Sequence, residues 1–137
     1  MAKVISINIS AKKGVRKVPV KQARLVAGVG IDGDAHAAAG NRQVSLLRAE
    51  DIESAGLNSG DFAENITTAG IDLSKLKIGT IIKIGDAELK ISQIGKECHT
   101  RCEIYKNVGD CIMPKKGVFA EVLSGGNVSA GDEIVII

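Results

Sequence analysis

The sequence predicts a mainly β fold, closed or nearly closed into a barrel, with a few short helices. Apolar runs are short, rich in Val and Ile, and bounded by Gly, Asp or Asn, as strands between turns are. They recur along all 137 residues, leaving many strand edges that closure would hide. The helical stretches are too short to organise the fold. The length suits one core, so residues 1–137 are read as a single domain.

The elements follow in order. Val4 to Ile9 alternates Ile with Val, Ser and Asn, as a half-buried first strand does. Further strands are expected at Gln22–Val29 and Gln43–Leu47, then a helix over Arg48–Ala55 stopped by Gly56. A short turn covers Ser74–Leu76, with Ser74 as its N-cap. Thr80 to Ile94 reads as a β-hairpin about Gly85-Asp86. Strands at Val118–Leu123 and Glu133–Ile137 complete the set, with turns at Gly125-Gly126 and Ala130-Gly131-Asp132.

Composition removes several function classes. With 18 Lys+Arg against 16 Asp+Glu there is no general field for nucleic acid, and Phe62, Tyr105 and Phe119 are too few to stack bases. The apolar stretch near the N-terminus is too short for a signal-peptide core or a membrane span, so a cytoplasmic protein with no membrane partner is expected. There is no Walker-type loop, dinucleotide fingerprint, HExxH or GxSxG.

Three constellations carry chemistry. Ile31-Asp32-Gly33-Asp34-Ala35-His36 is a Gly-centred acidic turn ending in one of 2 histidines. It reads either as a site or as a loop whose aspartates bond their own backbone. Gly60-Asp61-Phe62-Ala63-Glu64-Asn65-Ile66-Thr67-Thr68 offers closely spaced donors and acceptors, or else a loop entering a short strand. Lys96-Glu97-Cys98-His99-Thr100-Arg101-Cys102, followed by Cys111, is the most informative. Lys96, His99 and Arg101 can place Cys98 in positive potential, which favours the nucleophilic thiolate. Cys98, Cys102, Cys111 and His99 also number enough ligands for zinc, although the spacing lacks a CxxC knuckle and no metal site is assigned. Cys102 and Cys111 read equally as small buried residues. Arg42, Arg48, Lys96, Arg101, Lys115 and Lys116 form a basic set able to neutralise an oxyanion if their loops converge.

In order, GDAH (33–36), RQVSLL (42–47), GDFAENITTAGIDL (60–73), LKIGTIIKIG (76–85), QIGKEC (93–98), GVFAEVLSGG (117–126) and SAGDEI (129–134) resemble a MOSC domain. MOSC names the C-terminal domain of molybdenum cofactor sulfurases. The chain departs from the family pattern at Ala63, where Gly is usual, and at Glu97, where Pro often precedes the cysteine.

The resemblance implies a β-rich, barrel-like MOSC fold in a short stand-alone chain. It aligns Cys98 with the catalytic cysteine that carries sulfur as a persulfide, and it implies a molybdenum–pterin cofactor bound as substrate or ligand. Arg42, Lys96 and Arg101 are then expected to hold the pterin phosphate, with His36 or His99 handling a proton. Asp34, Glu64 and Asn65 complete the expected cofactor-binding set. Partners implied are a cysteine desulfurase or other sulfur donor and a molybdoenzyme or cofactor-biosynthesis protein. Pyridoxal phosphate enters only through a partner desulfurase. A noncatalytic cofactor carrier and a small zinc-stabilised protein stand as alternatives.

Overall fold

The computed structural model describes residues 2–10, 17–34, 37, 40, 43–54, 56, 58–60, 64–94 and 117–137. Strands run in the order β1 (Lys3–Ile9), β2 (Val18–Val20), β3 (Gln22–Val26), β4 (Gly30–Ile31) and β5 (Val44–Arg48). Helix α1 (Ala49–Ser54) precedes β6 (Ile66–Ala69) and a 3-10 turn (Leu73–Lys75). Then come β7 (Ile81–Ile84), β8 (Ala87–Ile94), β9 (Val118–Ser124), β10 (Gly126–Ser129) and β11 (Ile134–Ile136). The fold is mainly β, as expected.

Eight strands form one sheet in the order β11-β7-β8-β9-β5-β6-β1-β2, and three form a second in the order β10-β3-β4. Neither sheet closes on itself through a ladder among the described residues. A single Lys3–Glu133 bridge joins β1 to the residues before β11, with Val4 N donating to Asp132 O (2.8 Å) and Ile134 N to Ala2 O (2.9 Å). Of the expected closed or nearly closed barrel, the described residues show two sheets, the larger with one bridge between β1 and the entry to β11 and no closed ladder.

Local chemistry explains the elements. The β7–β8 hairpin turns on Gly85-Asp86, with Gly85 at φ +55°. Pro19 lacks an N–H, and β2 accommodates it because β2 is the edge of its sheet. β5 and β6 pair in parallel, so the chain must cross over between them, and α1 lies in that crossover. Glu50 and Asp51 suit the first turn of α1, and Gly56 at φ +75° donates to Glu53 O as the helix ends.

Several expected boundaries move. The strand from Gln22 stops at Val26, because the chain turns at Ala27–Val29 with Gly28 at φ +73°. Ser74 is not the cap of the 3-10 turn; Asp72 is, its side chain accepting from Ser74 N. Gly126 starts β10 and is not a turn residue.

One apolar core draws on both sheets: Val44 and Leu46 of β5, Leu89 and Ile91 of β8, and Ala120 and Val122 of β9 meet Leu25, Ile31 and Val128 from the smaller sheet. Each fully buried Ile or Leu contributes about 1.5–3 kcal/mol. The alternate residues Ser6, Asn8, Ser45, Leu47, Thr67 and Phe119 are also buried, outside that core cluster. The large sheet is thus buried on its second face at β1, β5, β6 and Phe119, a largely polar patch, whereas Lys83, Leu123 and Val135 on other strands are exposed.

Candidate functional site

The polar cluster forms where β1 ends and β5 and β6 begin. Asn65, just before β6, is wholly buried. Its Oδ1 accepts from Ser45 N (3.0 Å) and Ser45 Oγ (3.1 Å), while its Nδ2 donates to Asn8 O (3.3 Å). One side-chain amide therefore joins β5, β6 and β1. Asn8 takes a bond from Ser6 Oγ (2.6 Å) and donates through Nδ2 to Glu64 O (3.1 Å) and Thr67 Oγ1 (3.2 Å). Glu64, also wholly buried, accepts at Oε2 from Gly60 N and Thr67 Oγ1, both at 2.9 Å.

A second, charged group adjoins it. Lys17 Nζ lies 2.7 Å from Asp34 Oδ1, with both side chains fully buried. Ser10 completes the group, its Oγ accepting from Lys17 Nζ (3.1 Å) and its N–H donating to Asp34 Oδ1 (3.1 Å). Lys17 N donates to Gly60 O (2.8 Å), which links the two groups. Gly60 is at φ +89°, and a Cβ there would run into Lys17 O, so the close approach requires glycine. The acidic turn and the Glu-Asn segment, far apart in sequence, thus meet through Lys17.

Strand register relates this cluster to the cysteine-bearing segment. Gln93 of β8 pairs with Phe119 of β9, and Phe119 with Ser45 of β5. Ser45 bonds Asn65, and Asn8 N donates to Asn65 O (2.6 Å). This row crosses five strands or strand entries. Ile94 and Val118, paired in the next row, bracket residues 95–116. The chain therefore leaves for Cys98 and returns from Cys111 one row from the Asn65 level.

Of the residues expected to bind cofactor, Asp34, Glu64 and Asn65 come together in this buried cluster. His36, Arg42, Lys96, Cys98, His99 and Arg101 lie outside the described residues, as do Cys102, Cys111, Lys115 and Lys116. Arg48, expected in the anion-binding set, is engaged otherwise. It makes two bonds to Asp51 (3.0 and 3.2 Å) and lies 3.9 Å from Asp72. The Asp51 hydrogen bond, aided by the charges of Asp51, Asp72 and Glu50, raises its pKa against partial desolvation. Among the described residues no three His, Cys, Asp or Glu side chains gather as a metal would need. No helix of the described residues is long and apolar enough to cross a membrane.

Sequence reasoning missed Lys17, Asn8 and Ser45. Lys17 follows Lys12, Lys13 and Arg16 and so reads as solvated charge. The usable signal was indirect, since a buried aspartate at Asp34 requires a cationic or multiple hydrogen-bond partner. An open cleft of about 470 Å³, lined by Arg24, Asp86, Gly125 and Asn127 among others, shares no residue with the cluster.

The MOSC domain profile matches residues 33–135, most of the chain, from the acidic turn to the last strand. The chain belongs to the MOSC domain family. Solved structures agree at the level of fold. The YuaD protein of Bacillus subtilis superposes with a TM-score of 0.81 at 22% identity, over 98% of this chain and 94% of that one. YiiM from Geobacillus stearothermophilus gives 0.76 at 20% identity, over 100% of this chain and 75% of that one. YiiM from Escherichia coli gives 0.72 at 18% identity, over 98% and 69%. No curated protein matches the chain by sequence.

MOSC domains are associated with molybdenum cofactor sulfurases and YiiM-like proteins. The described donors test how such a cofactor fits. Asp34, Glu64 and Asn65 supply carboxylate and amide groups committed to the protein's own strands and loops, and the one cation among them, Lys17, is ion-paired. This set suits bracing loops. Holding a phosphate suits the guanidinium and ammonium groups of Arg42, Lys96 and Arg101.

Proposed function

We propose that this MOSC chain is a sulfur carrier that acts on or with the molybdenum–pterin cofactor through a persulfide on Cys98. The observation that carries the reading is the family match over 33–135, which contains Cys98, Asp34 and the Gly60–Thr68 motif. Its structural support is the strand pairing that brings the roots of the 95–116 segment within one row of Asn65.

In this reading the Cys98 thiolate attacks the terminal sulfur of a donor persulfide R–S–SH, such as that of a cysteine desulfurase. A Cys98–sulfur bond forms, the donor's S–S bond breaks, and the donor leaves as a thiolate, so no external oxidant is needed. Release to an acceptor that supplies the electron pair, a second thiolate or a reduced metal centre, breaks the Cys98 S–S bond and returns Cys98 to the thiolate. Lys96, His99 and Arg101 favour that anion, and His36 or His99 moves the proton. Arg42, Lys96 and Arg101 hold the pterin phosphate, while Asp34, Glu64 and Asn65 serve by fixing the loops beside it. The cofactor, when bound, supplies a sulfur-accepting metal. Pyridoxal phosphate belongs to the partner desulfurase.

The test is intact-mass measurement after incubation with a cysteine desulfurase and cysteine. A cyanide-labile gain of one sulfur, lost in Cys98→Ala and kept in Cys102→Ala, is expected. A native chain that takes up no sulfur but still binds cofactor would favour a noncatalytic carrier. Stoichiometric zinc after purification without added metal would favour the zinc-stabilised protein.

A further inference from the structure

We propose that the small pocket between the end of β5, β6 and the 3-10 turn is a binding site for one water molecule, held by the Thr68 hydroxyl, and that this water fastens the turn to the sheet. Thr67 and Thr68 are neighbours on β6 and face opposite sides of the sheet. The Thr67 hydroxyl donates to Glu64 Oε2 (2.9 Å) and accepts from Asn8 Nδ2 (3.2 Å). Thr68 is wholly buried, and its Oγ1 meets no hydrogen-bond partner among the described residues. Valine has the same shape and a similar strand preference. The hydroxyl is therefore the one part of Thr68 that the protein's own described atoms leave unused, and sealing a hydroxyl without a bond is costly.

Thr68 lines a pocket with a free volume of about 10 Å³, room for one water molecule and nothing larger. Arg48, Asp72 and Ser74 line it too, beside apolar walls from Leu46 and Val118. Two of these groups stop short of direct contact. Arg48 Nη1 lies 3.9 Å from Asp72 Oδ2, beyond hydrogen-bond reach. An ordered water bridges polar groups across such a gap. Water both accepts and donates, so it can take a bond from Thr68 or Arg48 and give one to Asp72. With a guanidinium and a carboxylate both on its walls, the pocket repels an ion of either sign, whereas a neutral dipole satisfies both.

Three elements meet at this pocket. Arg48 ends β5, Thr68 lies in β6, and Asp72 caps the 3-10 turn by accepting from Ser74 N (3.1 Å). The turn is closed by Lys75 N donating to Asp72 O (3.2 Å) and Leu76 N to Leu73 O (3.1 Å), and it lays Leu73 against the core. A water shared by Thr68 and Asp72 joins the turn to the strand beneath it.

The test compares the native chain with Thr68→Val, which keeps the shape and loses the hydroxyl, and Thr68→Ser, which keeps the hydroxyl. Crystal structures of the three are expected to show one water within hydrogen-bond reach of residue 68 and of Arg48 or Asp72 in the native chain and Thr68→Ser, and none in Thr68→Val. Thr68→Val is expected to lower the urea midpoint by about 0.3–0.5 M and to speed exchange of the Lys75 and Leu76 amides about threefold or more, with strand amides of β8 unchanged.

A dry pocket in the native chain, or a water that does not touch Thr68, would overturn the proposal. So would a urea midpoint that rises in Thr68→Val, the result expected of a hydroxyl with no partner at all. A midpoint that climbs with sodium or potassium chloride over choline chloride at equal ionic strength, and only in chains that keep the hydroxyl, would assign the site to a monovalent cation and overturn it as well.

Discussion

At the scale of single residues, the buried Lys17–Asp34 pair and the exposed Lys90–Glu121 pair have the same chemistry and different weight. The first has both side chains fully buried at 2.7 Å, and the second is 42% and 28% exposed at 3.8 Å. Asp34→Ala is expected to lower unfolding free energy in urea by about 3–5 kcal/mol, because the buried Lys17 ammonium loses the carboxylate 2.7 Å away. Glu121→Ala should change it by no more than about 1 kcal/mol. Equal effects would contradict the burial assigned to Lys17. Glycine gives a second contrast. Gly60 and Gly79 both have positive φ, but a Cβ meets Lys17 O at Gly60 and open space at Gly79. Gly79→Ala should cost about 1–2 kcal/mol from backbone strain alone, and Gly60→Ala more, read by thermal or urea unfolding.

At the scale of elements, Asn65 does what a strand residue's backbone usually does. Its amide pairs the start of β6 with Ser45 of β5 and Asn8 of β1. Asn65→Leu fills similar space but strands the buried Ser45 N–H and deprives Asn8 O of a donor. A loss of about 2–4 kcal/mol is expected in urea unfolding, with no gain from the added apolar surface. The strands themselves were legible where alternation was strong. Val4–Ile9, the β7–β8 hairpin and β9 stand where the Ile and Val pattern puts them. β2 was hidden because Pro19 argues against a strand, and only its place at a sheet edge permits one. β4 and β6 have 2 and 4 residues, too few for a period to register. Asp34, Glu64 and Asn65 were legible as polar residues in Gly-flanked turns. Their partners were not, because Asn8, Lys17 and Ser45 come from other segments and only the folded register brings them near.

At the scale of the molecule, two sheets share one apolar core, and around Asn65 the large sheet buries a polar patch on its other face. That arrangement lets a MOSC chain with balanced charge bury polar groups locally. The polar patch ties Asn8, Ser45, Glu64 and Asn65 together, and the apolar core supplies the stability against which it is fixed. Leu89→Ala, deep in that core, should cost about 2–5 kcal/mol in unfolding free energy while leaving Cys98 able to accept sulfur below the lowered melting point. The central claim concerns Cys98 itself, and peptide-level mapping of sulfane sulfur after treatment with a cysteine desulfurase and cysteine tests it most directly. The account predicts one cyanide-labile sulfur on the peptide containing Cys98, absent from Cys98→Ala; sulfur on Cys102 or Cys111 alone, or on none of the three, would contradict it.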